Sequence, residues 1–209
     1  MSAFYITAEQ LGYWFFRLNG CLVLDSFLIH HERRGNEGTD VDILGVRFPH
    51  RCELAYSEEP IKDHPDFENI KKIQLIIAEI KTGQCNLNGP WTDPDKRNMN
   101  RVLHALGAFS KEEIGQVSDD LYSQAKFEND KYLCRLFALG LYPNDELHPA
   151  PVQLTWNEIL SFIYFRFTKY QKYKTQHRQW NQAGQDLFSM VINNSDEESF
   201  IKAVQVGPS

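Results

Sequence analysis

Apolar positions recur along the chain with two different periods, and the switches between them outline the elements. Leu11, Trp14, Phe15 and Leu18 fall at i, i+3, i+4 and i+7 ahead of Gly20, and Thr7 with Gln10 makes a capping box before them, which predicts an amphipathic first helix. Residues 21–30 and 41–48 are runs of branched and aromatic side chains separated by a polar, glycine-containing stretch at 32–38. They predict two antiparallel strands joined by a hairpin. Residues 49–72 are polar, acidic and turn-rich, and read as an insertion, since structureless loops beyond about 15 residues are uncommon. Residues 73–81 are apolar on both faces until their last positions, as in a strand at the middle of a sheet.

Helical spacing then takes over. Asp93 and Pro94 open a helical stretch that ends near Gly107, with Met99, Val102, Leu103 and Leu106 as its apolar stripe. Ser110 with Glu113 offers a capping box to a short helix containing Ile114, Val117 and Leu121. Residues 132–141 predict a further strand, although their composition also permits helix. Beyond Pro149 and Pro151, Thr155 and Glu158 cap a helix that runs through Phe167, and residues 186–193 predict a last one. The order is helix, three strands, helices, strand, helices, without internal repeats. It predicts an α/β core over residues 1–150, interrupted by the insertion at 49–72, with residues 151–209 as a C-terminal helical extension packed on it.

Composition narrows the choice of partners. At 209 residues, 42% hydrophobic and 13% aromatic, the chain can bury a sizeable core. Its formal net charge of -6 excludes coating of nucleic acid by bulk positive charge, so a polyanion must meet a local patch. Cys21, Cys52, Cys85 and Cys134 are widely spaced, with no C-x-x-C pair, and read as free thiols of a reducing compartment. No secretory pattern opens the chain, and the longest apolar stretch, residues 160–164, is too short for a bilayer. The expectation is a cytoplasmic protein without a membrane partner.

The candidate chemistry lies where charge interrupts the apolar strands. Glu79 and Lys81 are two apart, so on a strand they project together, roughly 6 to 7 Å apart. Asp40 and Asp42 share one face of the second strand in line with Leu44 and Val46. Burying ionised groups costs several kcal/mol unless an opposite charge or a metal compensates. A divalent cation between the two strand ends does so, with Asp42 and Glu79 as oxygen ligands, the Ile80 carbonyl as a third, and Lys81 placed to orient water.

Asp42-Ile-Leu-Gly-Val followed by Ala78-Glu79-Ile80-Lys81 resembles the PD-(D/E)XK nuclease superfamily, the group of restriction endonucleases and archaeal Holliday junction resolvases. The resemblance spans roughly residues 7–141. It implies a restriction endonuclease-like core, a mixed sheet in the order helix, three strands, helix, strand, flanked by helices and followed by C-terminal helices. It further implies that Asp42 and Glu79 bind Mg²⁺ or Mn²⁺ and that Lys81 assists water attack on a phosphodiester, with DNA as the expected nucleic acid. A first-helix carboxylate often joins such sites, and Glu9 is the nearest match. Two features depart from the pattern: the acidic insertion lengthens the separation of Asp42 from Glu79, and Val41 replaces proline before the aspartate. Many members of this group act as dimers, which makes a homodimer possible here.

Other residues carry weaker signals. Gln84, Asn86 and Asn88 lie in the polar loop after Lys81, with Gln84 nearest, and Trp91 reads as the packing residue that anchors this loop. Lys96, Arg97 and Arg101 lie on the following helix, where Arg97 and Arg101, at i and i+4, point the same way toward nucleic acid or solvent. Arg166, Lys169, Lys172, Lys174, His177 and Arg178 are interleaved with aromatics over 159–185, a basic segment suited to phosphate, while most of its aromatics are assigned to packing. His30, His31, His50 and His64 match no metal spacing, Cys85 lacks an adjacent base, and no G-x-S-x-G elbow, P-loop or Rossmann fingerprint is present. The competing expectation is a nuclease-fold protein without cleavage activity that binds nucleic acid or a protein through its C-terminal helices.

Overall fold

The computed structural model describes residues 4–30, 39–175 and 181–208. The hairpin tip, with His31, and the segment carrying His177, Arg178 and Trp180 lie outside the described residues, as does the Lys174 side chain. The chain forms a mixed α/β fold around one main sheet. A short strand β1 (Phe4–Thr7) leads directly into helix α1 (Ala8–Leu18), where the Thr7 hydroxyl and Gln10 side chain cap each other's backbone as the sequence predicts.

Strands β2 (Leu22–Ile29), β3 (Thr39–Arg47) and β4 (Ile73–Ile80) make an antiparallel meander. A helical crossover follows: α2 (Gly89–Thr92), α3 (Asn98–Leu106) and α4 (Ile114–Gln124). Strand β5 (Lys126–Glu128) precedes β6 (Tyr132–Gly140), which returns parallel to β4 over its whole length. Strands β5 and β7 (Val152–Thr155) share the outer edge of β6, one at each end. The α/β core is the class expected from the pattern, the mixed sheet flanked by helices is the arrangement the resemblance implies, and the segment at 132–141 forms strand over Tyr132–Gly140.

The two sheet faces carry separate apolar clusters. One holds α1 and the C-terminal helices α5 (Trp156–Lys169), α7 (Gln182–Asn193) and α8 (Glu197–Ala203) against Ile43, Ile76, Ala78 and Ile80. The short helix α6 (Gln171–Lys174) follows α5 after Tyr170. The other face packs Leu75, Ile77 and Leu136 beneath α3 and α4. A final strand, β8 (Val204–Gly207), pairs in parallel with β1 and ties the two ends of the chain together.

The insertion at 49–72 carries one short 3-10 turn (Pro65–Phe67) and is anchored by burial rather than by regular structure. Phe67 is fully buried, stacked parallel to Phe137. Asp63 accepts from Arg47 at 2.6 Å, Arg51 at 2.5 Å and Arg166 at 2.7 Å. Three guanidinium groups thus converge on one nearly buried carboxylate and clamp the loop to β3 and α5.

Candidate active site at the end of the central strand

The site forms where β3 parts from β4. Their ladder runs from Arg47↔Gln74 to Ile43↔Ala78 and stops there, one step before Asp42 and Glu79 would face each other. Instead of continuing the ladder with its backbone, Asp42 turns its side chain inward, and its Oδ2 accepts the Ile80 N–H at 2.7 Å. The N–H and C=O of one strand residue point toward the same neighbour. The Ile80 carbonyl is thus aimed to the same side as the Asp42 carboxylate.

A backbone feature beside Asp42 explains the parting. Ser26, flanked by the pairs Asp25↔Ile43 and Phe27↔Val41, has a left-handed φ of 49°. Non-glycine residues hold this conformation at a cost of about 1 kcal/mol or more. The faces exchange around it: Val23 and Ile43 pack in the α1 cluster, whereas Phe27, Ile29 and Val41 pack in the α3–α4 cluster. The hairpin turns over at this point, and Asp42 sits at the corner.

Glu79 is 3% exposed and both of its oxygens are engaged. Lys81 Nζ pairs with Oε1, and the buried indole of Trp91 donates to Oε2 at 2.5 Å. Trp91 is set by α2, which is held in turn by Tyr122, whose hydroxyl donates to the Pro90 carbonyl and accepts the Met99 N–H. Asp42, half-buried, has its pKa pushed up to about 6, first by burial and then by the negative charge of Glu79, with the Ile80 N–H and Lys81 pulling the other way. Two carboxylates from adjacent strands therefore share one partly dry site with one ammonium. The excess of negative charge there is one that a cation would offset.

A hard divalent ion is commonly held by one or two carboxylates, a carbonyl and waters, and Asp42, Glu79 and the Ile80 carbonyl match that donor set. Among the described residues, no group of three or more His, Cys, Asp or Glu side chains is placed to hold an ion. The free edge of the donor set is the part of Asp42 not taken by Ile80.

The remaining candidates fall in different places. Helix α1 crosses the sheet beside the site, close enough that a Cβ on Gly12 would lie 2.8 Å from Ile80 Cδ1. It does so on the α1 face, whereas Glu79 shares the parity of Leu75 and Ile77 on the other. Glu9, in the first turn of α1, is thus carried by the helix that lies on the far side of the sheet from the Glu79 side chain. Asp40 is exposed on β3 past the divergence and adds to the negative field at Asp42. Gln84 turns away to donate to the Pro143 carbonyl at 3.2 Å.

The basic candidates require corrections. Arg97 lies outside α3, as a left-handed residue before its first turn, so it does not share a helix face with Arg101. Arg101 reaches back past the start of α3, donating to the Lys96 carbonyl at 2.6 Å. Arg166 is completely buried and bound to Asp63 and the Lys62 carbonyl, which removes it from any surface contact with phosphate. Lys169 pairs with Glu59 at 2.9 Å, and Lys172 lies over the Tyr173 ring. Helix α5 starts beside the site end of β6 and runs about 21 Å to its last turn. Lys169 thus stands by the insertion, at the opposite end of the sheet from Glu79.

The Trp91–Glu79 bond, the Ser26 corner and the Ile80–Asp42 bond escape sequence reasoning. Only Trp91 left a signal, as a lone indole after a polar loop, where its buried N–H needs an acceptor. Comparison with protein families, curated proteins and solved structures returns no match for this chain. No helix among the described residues is long and apolar enough to cross a membrane.

Proposed function

We propose that this chain is a divalent-cation-dependent nuclease of the PD-(D/E)XK type, with a restriction endonuclease-like core, acting on nucleic-acid phosphodiesters, DNA in the first place. The observation that carries the reading is the coupling of Asp42 with Glu79. One stands at the corner of β3, the other at the end of β4, and burial first and the charge of Glu79 second push the pKa of Asp42 up to about 6. Further support comes from topology: a helix, three antiparallel strands, a helical crossover and a strand that joins the same mixed sheet follow the element order that the resemblance implies.

Asp42, Glu79 and the Ile80 carbonyl would hold Mg²⁺ or Mn²⁺, which supplies the Lewis-acid charge that a phosphodiester needs and two carboxylates cannot give. Asp42 is anchored by the Ile80 N–H, which fixes one oxygen and leaves the other to serve as a ligand. Trp91 fixes the rotamer of Glu79 from the buried side. Lys81, 27% exposed, keeps its ammonium at the solvent edge of Glu79, where it can orient water and meet charge that builds on phosphorus. Asp42→Ala and Lys81→Ala are expected to abolish Mn²⁺-dependent cleavage while leaving the fold intact. Cleavage by both variants at the wild-type rate counts decisively against the proposal.

A second reading, nucleic-acid or protein binding without cleavage, draws on one specific observation: both Glu79 oxygens are already taken by Lys81 and Trp91. It calls for a chain that binds no Mn²⁺ in calorimetry yet still binds its partner, with loss of binding when Lys169 and Lys172 are changed to Glu.

A further inference from the structure

Two loops leave the same end of the sheet and are stitched to each other. One follows β4 and the other follows β6: Cys85 N–H donates to the Tyr142 carbonyl at 2.8 Å, and Leu141 N–H donates to the Gly83 carbonyl at 2.6 Å. Together with Thr92 they wall a cleft of about 800 Å³. Gln84 follows Lys81 by three residues, so their Cα atoms are at most about 11 Å apart. Thr92 adjoins Trp91, the residue bonded to Glu79. The cleft therefore lies at the same end of the sheet as the carboxylate site, one residue from Trp91 and three from Lys81 along the chain.

Its lining chemistry is selective. Gln84, Asn86 and Asn144 supply amides, Asp145 and Glu146 supply exposed carboxylates, His148 supplies an imidazole, and among the described residues no Lys or Arg contributes to the wall. Asn144 is set in place by Gln153, which accepts its N–H at 2.6 Å and donates to its carbonyl at 2.8 Å. A phosphate would meet two carboxylates here and no Lys or Arg to offset them. A neutral ring bearing an amino group meets acceptors, since carboxylates accept from the cytosine amino group and amides pair with adenine.

We infer that this cleft receives an unpaired nucleobase carrying an exocyclic amine, from the nucleotide next to the phosphodiester held at Asp42 and Glu79. The inference rests on the nuclease reading and gives it a substrate class: single-stranded or locally unpaired nucleic acid, with adenine and cytosine preferred over thymine. A base inside a duplex keeps its stacking and its Watson–Crick partner and does not enter.

The test is fluorescence anisotropy in EDTA with labelled dC, dA and dT dodecamers and a 12-base-pair duplex, with Mn²⁺-dependent cleavage of the same probes read in parallel. The expected result is at least fivefold tighter binding of the dC and dA strands than of dT or duplex. Gln84→Leu should weaken binding of the dA strand severalfold. The double change Asp145→Asn with Glu146→Gln should collapse the preference for dC over dT without lowering the melting temperature, since both side chains are exposed. Equal affinity for all four probes, no binding of any, or a neutralised variant that binds every strand tighter with its preference intact overturns the inference. Base-selective binding without cleavage sustains the cleft and refutes the nuclease reading; cleavage without base or strand preference does the reverse.

Discussion

Replacing Asp42 by Asn should make the metal-free protein more stable at neutral pH. The side chains have the same shape, and the Asn oxygen can still accept the Ile80 N–H that binds Asp42 at 2.7 Å. What is removed is a charge that folding disfavours. Burial and Glu79 raise the Asp42 pKa from 3.8 to about 6, so the folded state binds a proton more tightly than the unfolded chain. Stability from this group is then fully present below pH about 4 and is lost as pH rises through about 6. A shift of about two units corresponds to at most about 3 kcal/mol, and the partial exposure of Asp42 reduces this to about 1–2 kcal/mol. Urea unfolding of both proteins in EDTA at pH 4 and pH 7.5 measures it: near-equal stabilities at the lower pH, and an Asn variant about 1–2 kcal/mol more stable at the higher. With Mn²⁺ at a hundredfold excess over its dissociation constant, wild type should gain about 2.7 kcal/mol and the variant far less. An Asn variant less stable than wild type at pH 7.5 in EDTA refutes the reasoning, because the carboxylate would then be a favourable surface group.

Three further outcomes follow from the same geometry. Trp91→Phe keeps most of the ring but deprives the buried Glu79 of a donor, so unfolding free energy should drop by about 1.5–3 kcal/mol and Mn²⁺ affinity by about tenfold, read by denaturation and calorimetry. Asp63→Ala leaves Arg47, Arg51 and the fully buried Arg166 without their shared carboxylate and should cost about 3–5 kcal/mol, with proteolysis of residues 49–72 as a second readout. Among the thiols, burial pushes Cys21 and Cys134 up to about 12 and raises Cys85, whereas Cys52 is exposed. A thiol reagent should therefore titrate one cysteine quickly in the native protein, and four only after denaturation.

What was legible in the sequence is what depends on near neighbours. The Thr7–Gln10 and Thr155–Glu158 capping boxes form as spacing predicts, because each joins residues three apart. Strand β4 announces itself by an apolar run too short for a helix and too continuous for an edge. The Ser110–Glu113 box is only half made: Glu113 accepts the Ser110 N–H at 2.8 Å, but α4 begins after it. What was hidden depends on long-range partners. Arg166 reads as one of a basic run until Asp63, 103 positions earlier, is seen to bury it. Strands β1 and β8 are four residues each and stabilise one another across the full length of the chain, which no local pattern reveals. At the site, the residue types were legible, but the corner at Ser26 and the engagement of Glu79 by Trp91 belong to packing.

The most direct measurement is Mn²⁺-dependent cleavage of plasmid, linear and single-stranded DNA by wild type, Asp42→Asn and Lys81→Ala, with Mn²⁺ binding measured calorimetrically on the same preparations. The expected result is one bound ion and cutting by wild type, loss of both in Asp42→Asn, and loss of cutting with the ion still bound in Lys81→Ala. Three proteins that cut alike, or a wild type that binds no ion at all, would contradict the claim that Asp42 and Glu79 share one cation.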